Sequence, residues 1–402
     1  MKQNTFNSKM IALALVVATV TGIAAFPMMQ KAKATQTVNT TLQLPAQKHR
    51  IEVVFVLDTT SSMSGLIHAA REKIWSIATT MASAQQSPDI RMGLVAFRDR
   101  GDAYITRTYD LSNDLDSMYA SLMDFRAQGG GDGPESVNQA LYDAVHDMSW
   151  SDDSNVYKTV FLVGDAPPHM DYDNDVKYPV TLQSAARKGI IVNAIQSGQH
   201  QHTRPAWQEI AALGRGQYFQ VESSGNAVAV ATPFDEELSA LAAELEDTRL
   251  YFGDEETRKA QKAKLDANAR LRKELSSEAL ARRDTFNATA SGKANLLGES
   301  ELVDAITSGR VELDEIEEEN LPSSLQALAP AEQKAVISEQ AKRRAELQQE
   351  IKKLSASRSE FIKQKVEAEG GADDSLDEKI YRAVKKQAAE IGLTYESDSA
   401  SY

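Results

Sequence analysis

The sequence predicts an α/β fold, a doubly wound and mostly parallel sheet, followed by an α-helical, coiled-coil-like C-terminal region. Two observations indicate this class. Between residues 51 and 230, short runs rich in β-branched residues alternate with segments of helical periodicity, and such alternation indicates βαβ units with parallel strands. From about residue 232, Ala, Glu, Lys, Gln and Leu predominate, a composition typical of long helices.

The strands are predicted from short apolar runs bounded by polar or glycine-rich turns. Residues 51–57 (IEVVFVL) form a nearly continuous apolar run, which is typical of a strand buried on both faces of a parallel sheet. Comparable runs follow at intervals, and the third strand is expected at an edge of the sheet. The predicted strands are residues 51–57, 90–97, 104–109, 159–163, 190–195 and 217–221.

The helices between these strands are predicted from apolar residues that recur every three or four positions. In the first helix, Ile74, Ile77 and Met81 share one side. Gly189 ends the third helix, because glycine readily adopts the left-handed conformation that commonly terminates helices. The predicted helices are residues 64–84, 135–148, 183–188 and 205–213.

Composition and charge exclude several classes of function. Among its 402 residues the chain has no cysteine, which excludes disulfides, zinc–thiolate sites, iron–sulfur clusters and cysteine nucleophiles. Any metal site must therefore use oxygen or imidazole ligands. The formal net charge is −14, and this argues against nucleic acid as the main partner because a phosphate backbone requires a basic surface.

Residues 1–34 have the pattern of an export signal. Lys2 and Lys9 precede an uncharged apolar run at residues 10–26, and a small-x-small pattern ends at Ala34. This pattern predicts a signal peptide cleaved near Ala34 and a bacterial protein that is periplasmic or secreted, with no membrane span after cleavage. The alternative is an inner-membrane signal anchor, because the uncharged stretch is just long enough to cross a bilayer.

Carboxylates and hydroxyls follow the ends of the predicted strands. The residues concerned are Asp58, Thr60 and Ser62 after the first strand, Glu135 in a glycine-rich loop, and Asp165 after a later strand. The carboxyl ends of parallel strands meet at one edge of the sheet, where ligands bind. The sequence therefore predicts an all-oxygen metal site at that edge, which suits Mg²⁺ or Ca²⁺ better than Zn²⁺.

The first of these motifs resembles that of the von Willebrand factor type A (VWA) family, whose domains have a Rossmann-like fold. The resemblance covers residues 51–230. The family's metal-ion-dependent adhesion site (MIDAS) has the pattern D-x-S-x-S, and Asp58, Thr60 and Ser62 match it with threonine at the middle position. In such a site one coordination position of the ion is left for a carboxylate from a partner protein.

A second loop and a later strand extend the resemblance. The tetrapeptide DGPE that ends at Glu135 is similar to the D-x-P-E loop of integrin β-subunits, which implies that Glu135 is a metal ligand. Asp165 matches the last carboxylate of the site. Asp132 and His169 are candidates for a second metal or a ligand contact. The asparagine expected two residues before Asp132 is replaced by Gly130, and a plain turn or loop position is the alternative for both.

The resemblance implies a binding module and no enzymatic activity. We expect an exported, metal-dependent adhesion or envelope-assembly protein that holds Mg²⁺, or Mn²⁺ or Ca²⁺, and binds an acidic residue of a partner protein through that ion. One alternative is a structural helical scaffold in which the VWA domain is a platform. The other is a metal-assisted hydrolase, for which His169 is the only remaining candidate base.

Other polar residues near the predicted site have structural interpretations. Asp171, Asp173 and Asp175 begin like an EF-hand loop, but the glycine and glutamate that such a loop requires are absent, so a solvated acidic loop is expected. The pair His200 and His202 has a His-x-His spacing and is interpreted as part of a loop.

The C-terminal region is predicted to consist of several helical segments. A near-heptad apolar stripe, interrupted by Arg344 and Arg358, indicates pairing within the chain or between two copies in a homo-oligomer. The charged side chains are expected to be mostly solvated. The predicted divisions are a linker at 35–50, the VWA domain at 51–230, a helical segment at 232–290, a linker with a short helix at 291–329, a helical hairpin at 330–395 and a disordered tail at 396–402.

Overall fold

The computed structural model describes residues 49–131, 133–223, 230–368 and 376–396. The predicted signal peptide, nearly all of the linker at 35–50, Asp132 and most of the tail lie outside the described residues. Within the described ranges, every helix is too short or too polar to cross a bilayer.

Six strands form one sheet, and the predicted doubly wound, mostly parallel fold is confirmed. The strand order is β3-β2-β1-β4-β5-β6; β3 pairs with β2 in the antiparallel sense, whereas the other neighbouring strands are parallel. The strands are β1 (Arg50–Asp58), β2 (Asp89–Phe97), β3 (Thr106–Ser112), β4 (Val156–Gly164), β5 (Ile190–Ser197) and β6 (Arg215–Val221).

Five helices lie between these strands along the chain, and one of them was not predicted. They are α1 (Ser64–Ala82), α2 (Leu115–Asp124), α3 (Val137–His146), α4 (Tyr178–Arg187) and α5 (Arg204–Leu213). The sequence analysis missed α2, which begins where the side chain of Asp114 accepts a hydrogen bond from Ser117 N–H. Its second residue, Asp116, is fully buried. A charge on the apolar side of a short helix obscures the periodicity on which the prediction depends.

The sheet has an apolar core on each face. On one face, residues of β1, β4 and β5 such as Val54 and Leu162 pack with α3, α4 and α5 around Trp207. On the other face, α1 and α2 pack with helices from the C-terminal region, and Trp75 lies 5.9 Å from the ring of Phe286. The C-terminal helices therefore complete the core of the α/β domain.

The C-terminal region is largely helical, as predicted. Residues 255–290, predicted as one continuous helical stretch, contain two helices separated by Leu275 and Ser276. The helices are α6 (Asp235–Asp247), α7 (Glu255–Glu274), α8 (Ser277–Asn287), α9 (Lys293–Leu297), α10 (Leu302–Thr307), α11 (Ser323–Gln326), α12 (Pro330–Ala368) and α13 (Leu376–Ala388).

The last two long helices pack on different parts of the molecule. Helix α12 packs against α6 and α10, whereas α13 packs against α1 and β6. Gln387 of α13 accepts a hydrogen bond from Tyr157 of β4 at 2.6 Å and donates one to Asn193 of β5 at 2.8 Å. This arrangement differs from the hairpin that the sequence suggested for residues 330–395, because the surface complementary to α13 is the sheet.

Buried ion pairs hold the C-terminal helices in place, so the expectation that their charges are mostly solvated was wrong for Arg283, Arg344 and Arg358, among others. Arg283 of α8 is fully buried and bonds both carboxylate oxygens of Asp116, at 2.6 and 2.7 Å. Arg344 and Arg358 of α12, which interrupt the apolar stripe, are buried as well. Their partners are Glu301, at 2.8 and 2.9 Å, and Asp235, at 2.9 Å.

Candidate metal centre

The candidate site lies where the winding of the sheet reverses. Strands β2 and β3 lie on one side of β1, whereas β4, β5 and β6 lie on the other. Asp58 is the last residue of β1, and Asp165 follows Gly164, the last residue of the neighbouring strand β4. The crevice at such a reversal is the usual ligand site of a doubly wound sheet, and the sequence analysis anticipated it.

The first motif forms a hydrogen-bonded turn. Thr60 donates to Asp58 Oδ1 from its backbone N–H at 2.9 Å and from its hydroxyl at 2.7 Å. The hydroxyl of Ser62 lies 3.3 Å from that of Thr60. Asp58 is fully buried, and its Oδ2 atom accepts no hydrogen bond within the described structure. One carboxylate oxygen is therefore buried and outside hydrogen-bond geometry, although the backbone of Asp165 is near enough to lower the pKa of the carboxyl.

The electrostatics of Asp58 favour a cation beside it. Burial raises the pKa of the Asp58 carboxyl to about 7, the hydrogen bonds from Thr60 oppose the shift, and the negative charge of Asp165 adds to it. A bound divalent ion would neutralise this charge and satisfy Oδ2. Together with the hydroxyls of Thr60 and Ser62, these carboxylates form an oxygen donor set that suits a hard cation. The residues therefore fit the predicted ion.

Glu135 links the two loops that flank the site. Its backbone N–H donates to Pro167 O at 2.9 Å, and its carbonyl accepts from His169 N–H at 3.0 Å. The predicted helix at 135–148 begins only at Val137, because these bonds hold Glu135 in an isolated parallel bridge instead.

Gly130 lets the glycine-rich loop lie against the predicted ligands. Its φ is 78°, a left-handed conformation that glycine adopts without strain. A Cβ atom at this position would lie 3.1 Å from Glu135 Oε1 and 3.2 Å from Thr60 Cβ. The Glu135 carboxylate and the Thr60 side chain therefore meet at this loop.

The predicted residues surround one cleft of about 720 Å³. Its lining includes Thr60, Ser62, Glu135 and Asp165, and the fully buried Asp58 lies behind Thr60 at the end of β1. The structure thus brings the five predicted metal ligands to one edge of the sheet. Asp132 lies outside the described residues.

His169 is not part of the cleft lining. Its Nδ1 atom lies 2.8 Å from Asp171 Oδ1, its Nε2 atom lies 3.4 Å from Asp99 Oδ2, and its ring stacks on Tyr172 with centroids 4.0 Å apart. The side chain is buried among these neighbours. Its contacts within the described structure are those of a residue that orders the loop after β4.

A wall of the cleft was missed by the sequence analysis. Gln199, His200, Gln201 and His202, in the loop after β5, line the cleft with exposed amide and imidazole groups. Thr203 fixes this loop, because its hydroxyl donates to Asp165 O at 2.7 Å. The His-x-His spacing was the available signal. This spacing points to the cleft only when β5 is known to lie beside β4, and local sequence does not reveal the strand order.

Carboxylate and imidazole groups alone do not form a metal cluster in the part of the chain that the structure describes. No group of three or more His, Asp or Glu side chains there is arranged to hold an ion. The candidate set instead combines carboxylates with the hydroxyls of Thr60 and Ser62.

Fold and site together define a doubly wound α/β domain with an oxygen-rich cleft at the carboxyl edge of its sheet. Residues 52–231 match the family model of the von Willebrand factor A domain, so the chain contains a VWA domain in that range. A comparison with curated proteins finds no match.

Several solved structures resemble part of the chain. Proximal thread matrix protein 1 from the mussel byssus, solved with a zinc-occupied MIDAS motif, is 15% identical with a TM-score of 0.35, over 43% of this chain and 42% of that one. The SpRpn10 VWA domain is 11% identical with a TM-score of 0.34, over 45% of this chain and 90% of that one. The pilus adhesin SpaC from Lactobacillus rhamnosus GG, in an open conformation, is 16% identical with a TM-score of 0.34, over 44% of this chain and 28% of that one. The chain thus spans less than half the length of the mussel protein and of the adhesin.

Proposed function

We propose that this protein is an exported, metal-dependent protein-binding module, active in adhesion or envelope assembly. Asp58, Thr60, Ser62, Glu135 and Asp165 would hold Mg²⁺, or Mn²⁺ or Ca²⁺, at a MIDAS-type site. The protein acts in the bacterial periplasm or outside the cell, after signal cleavage near Ala34. Its partner presents an Asp or Glu side chain to the cleft.

The observation that carries this proposal is the Asp58 carboxylate. It is fully buried, one of its oxygens accepts no hydrogen bond, and a second carboxylate, that of Asp165, raises its pKa further. A buried carboxylate is costly unless a cation or donors compensate it. Among the described contacts of Asp58 no cationic side chain occurs, so an ion from solution best accounts for the arrangement.

The chain's own groups have separable tasks in this function. Thr60 holds Oδ1 of Asp58 through two hydrogen bonds and leaves Oδ2 for the ion. A divalent ion bound here supplies the positive charge that a partner carboxylate requires. The cleft of about 720 Å³ has room for that side chain and its neighbours. The amides and imidazoles of residues 199–202 offer hydrogen bonds to the partner backbone.

The contacts of His169 argue against this residue as the general base of a hydrolase. A metal-assisted hydrolase needs a general base within reach of the substrate, and His169 was the sequence's only candidate. Its ring is stacked on Tyr172 and lies beside Asp99 and Asp171, and His169 is not among the residues that line the cleft.

A second candidate function is a helical scaffold on which the VWA domain is a platform. The observation that favours it is the buried contact between α8 and α2 through Arg283 and Asp116, which joins the C-terminal helices rigidly to the domain. The two candidates differ in one measurable property, because a scaffold does not require a metal ion to retain its partner.

The test is capture of partners from bacterial envelope extract, with residues 35–402 as bait, in Mg²⁺ and in chelator. We expect a partner that wild type retains only in Mg²⁺ and that Asp58→Ala does not retain. The matched control is Asp153→Ala, because Asp153 also accepts a backbone hydrogen bond, from Asn155 at 2.8 Å, but precedes β4 and therefore lies at the opposite edge of the sheet.

Capture that ignores both the chelator and Asp58→Ala would contradict the proposal and favour the scaffold. Hydrolysis of ester substrates by wild type, abolished in His169→Ala, would contradict the assignment as a non-enzyme.

A further inference from the structure

The segment at residues 97–102, which comprises the last residue of β2 and the turn after it, touches each of the loops that carry predicted ligands. Its first contact is through the backbone. Thr59 donates to Phe97 O from both its N–H and its hydroxyl, each at 2.9 Å, and Ser136 N–H donates to Arg98 O at 3.2 Å. The loop that carries Asp58 and the loop that carries Glu135 are thus both bonded to the end of β2.

Asp99 links the Glu135 loop to the loop after β4. Its carboxylate is buried, and it accepts hydrogen bonds from the Ser136 hydroxyl and the Tyr172 hydroxyl, each at 2.8 Å. Ser136 directly follows Glu135, and Tyr172 belongs to the same loop as Asp165. One charged acceptor, which makes stronger hydrogen bonds than a neutral one, therefore joins two ligand-bearing loops.

Asp102 holds the glycine-rich loop. Its Oδ2 atom accepts from Gly130 N–H at 3.0 Å, and a Cβ atom at Gly129 would lie only 2.3 Å from Asp102 Oδ1. The loop thus closes around this carboxylate. Because Gly130 packs directly against Thr60 and Glu135, the position of Asp102 determines where that contact is made.

Arg100 also contacts the loop after β4, which carries Asp165. Its guanidinium lies 4.0 Å above the ring of Tyr172, on which His169 also stacks, and it pairs with Asp175. Asp175 is buried, contrary to the solvated loop that the sequence suggested. These contacts hold the segment after Asp165 against the turn.

We propose that Asp99 and Asp102 are positioning residues of the metal site. They hold the three ligand-bearing loops in fixed positions relative to one another before the ion binds. This inference rests on the proposed function, since it assumes that the five predicted ligands bind a divalent ion. Neither carboxylate is among the five predicted ligands. Each fixes the loops before the ion binds, so that the entropic cost of ordering them does not reduce the affinity. Removal of comparable groups that orient metal ligands lowers metal affinity about 10- to 100-fold.

The test uses Mn²⁺ alone as the probe, with the bound fraction measured by electron paramagnetic resonance. We expect the Kd for Mn²⁺ to rise about 10- to 100-fold in Asp99→Asn and in Asp102→Ala. Asp102→Asn keeps an oxygen that accepts from Gly130 N–H, so it should recover part of the affinity that Asp102→Ala loses. Asp153→Ala should bind as wild type does.

The outcomes separate this inference from the function on which it rests. If wild type binds Mn²⁺, Asp58→Ala does not, and Asp99→Asn and Asp102→Ala both bind within twofold of wild type, the inference is wrong and the proposed function stands. Equal weakness of Asp102→Asn and Asp102→Ala also overturns it, because the hydrogen bond to Gly130 would then be irrelevant. If wild type does not bind Mn²⁺, the proposed function fails as well. Unfolding temperatures in chelator, which should be similar for all variants, identify any variant that merely loses its fold.

Discussion

The α/β domain and the C-terminal helices are stabilised by different means. The strands pack into two apolar clusters, and every residue of β4 is buried. The C-terminal helices form smaller apolar clusters and bury Arg283, Arg344 and Arg358 beside carboxylates. Apolar burial is non-directional, whereas ion pairs require defined geometry. In this molecule the ion pairs therefore determine how the helices are placed, and apolar burial determines that the sheet forms.

The two regions also differ in the charged groups that surround their buried carboxylates. Burial raises the pKa of Asp58 and of Asp284 to about 7 in both regions. Asp284 has the guanidinium of Arg283 at 2.9 Å, whereas Asp58 has Asp165 beside it. The carboxylate of Asp284 thus has a cationic side chain of the same chain beside it, whereas that of Asp58 has none among its described contacts.

Arg283→Met should be the most destabilising of these changes. The substitution removes the fully buried guanidinium that contacts Asp116, Glu246 and Asp284, and uncompensated buried carboxylates cost about 3–5 kcal/mol of unfolding free energy. Urea unfolding measures the effect. A loss below about 1 kcal/mol would show that the helices do not depend on this network.

Mg²⁺ should stabilise the protein through Asp58. At a Mg²⁺ concentration 100 times its Kd, the unfolding free energy of wild type should rise by about 2.7 kcal/mol, because the ion binds only the folded site. Thermal unfolding with and without chelator measures the shift. Asp58→Ala should show none, and Asp153→Ala should match wild type; equal stabilisation of Asp58→Ala would place the ion elsewhere.

Asp284 should make stability fall as pH rises. Its pKa in the folded protein is raised to about 7, first by burial and despite the opposing effect of Arg283, so the folded state binds its proton more tightly than the unfolded chain does. The stabilisation is complete below the unfolded pKa of about 4 and is lost as pH rises through 7. Relative to Asp284→Asn, wild type should lose roughly 2 kcal/mol between pH 5 and 7. Parallel pH profiles for the two proteins would contradict this assignment.

Arg270→Met should have the smallest effect. Arg270 pairs with Asp124 at 2.6 Å, but the two side chains are 36% and 61% exposed, and exposed ion pairs contribute about 0–1 kcal/mol. Urea unfolding beside Arg283→Met provides the comparison. A loss as large as that of Arg283→Met would show that burial does not distinguish the two arginines.

Much of the α/β domain and its site could be predicted from local patterns. Apolar runs indicated the six strands, and Asp58, Thr60, Ser62, Glu135 and Asp165 were identified because residues after parallel strands meet at one edge. The remainder depended on distant partners. Helix α2 was missed because its buried Asp116 pairs with Arg283, and the loop at 199–202 was not recognised as part of the cleft because strand order is a global property.

Local sequence patterns were sufficient to predict the fold class, the edge of the sheet that carries the candidate site, and the residue types available to it, since each depends on side-chain periodicity or on position relative to a strand end. The folded structure was needed to see which charges are buried, that α13 packs on the sheet, and that Asp99 and Asp102 accept hydrogen bonds from the site loops. These contacts join residues as far apart as Tyr157 and Gln387. Their burial and geometry arise only when the chain is folded, so no local pattern encodes them.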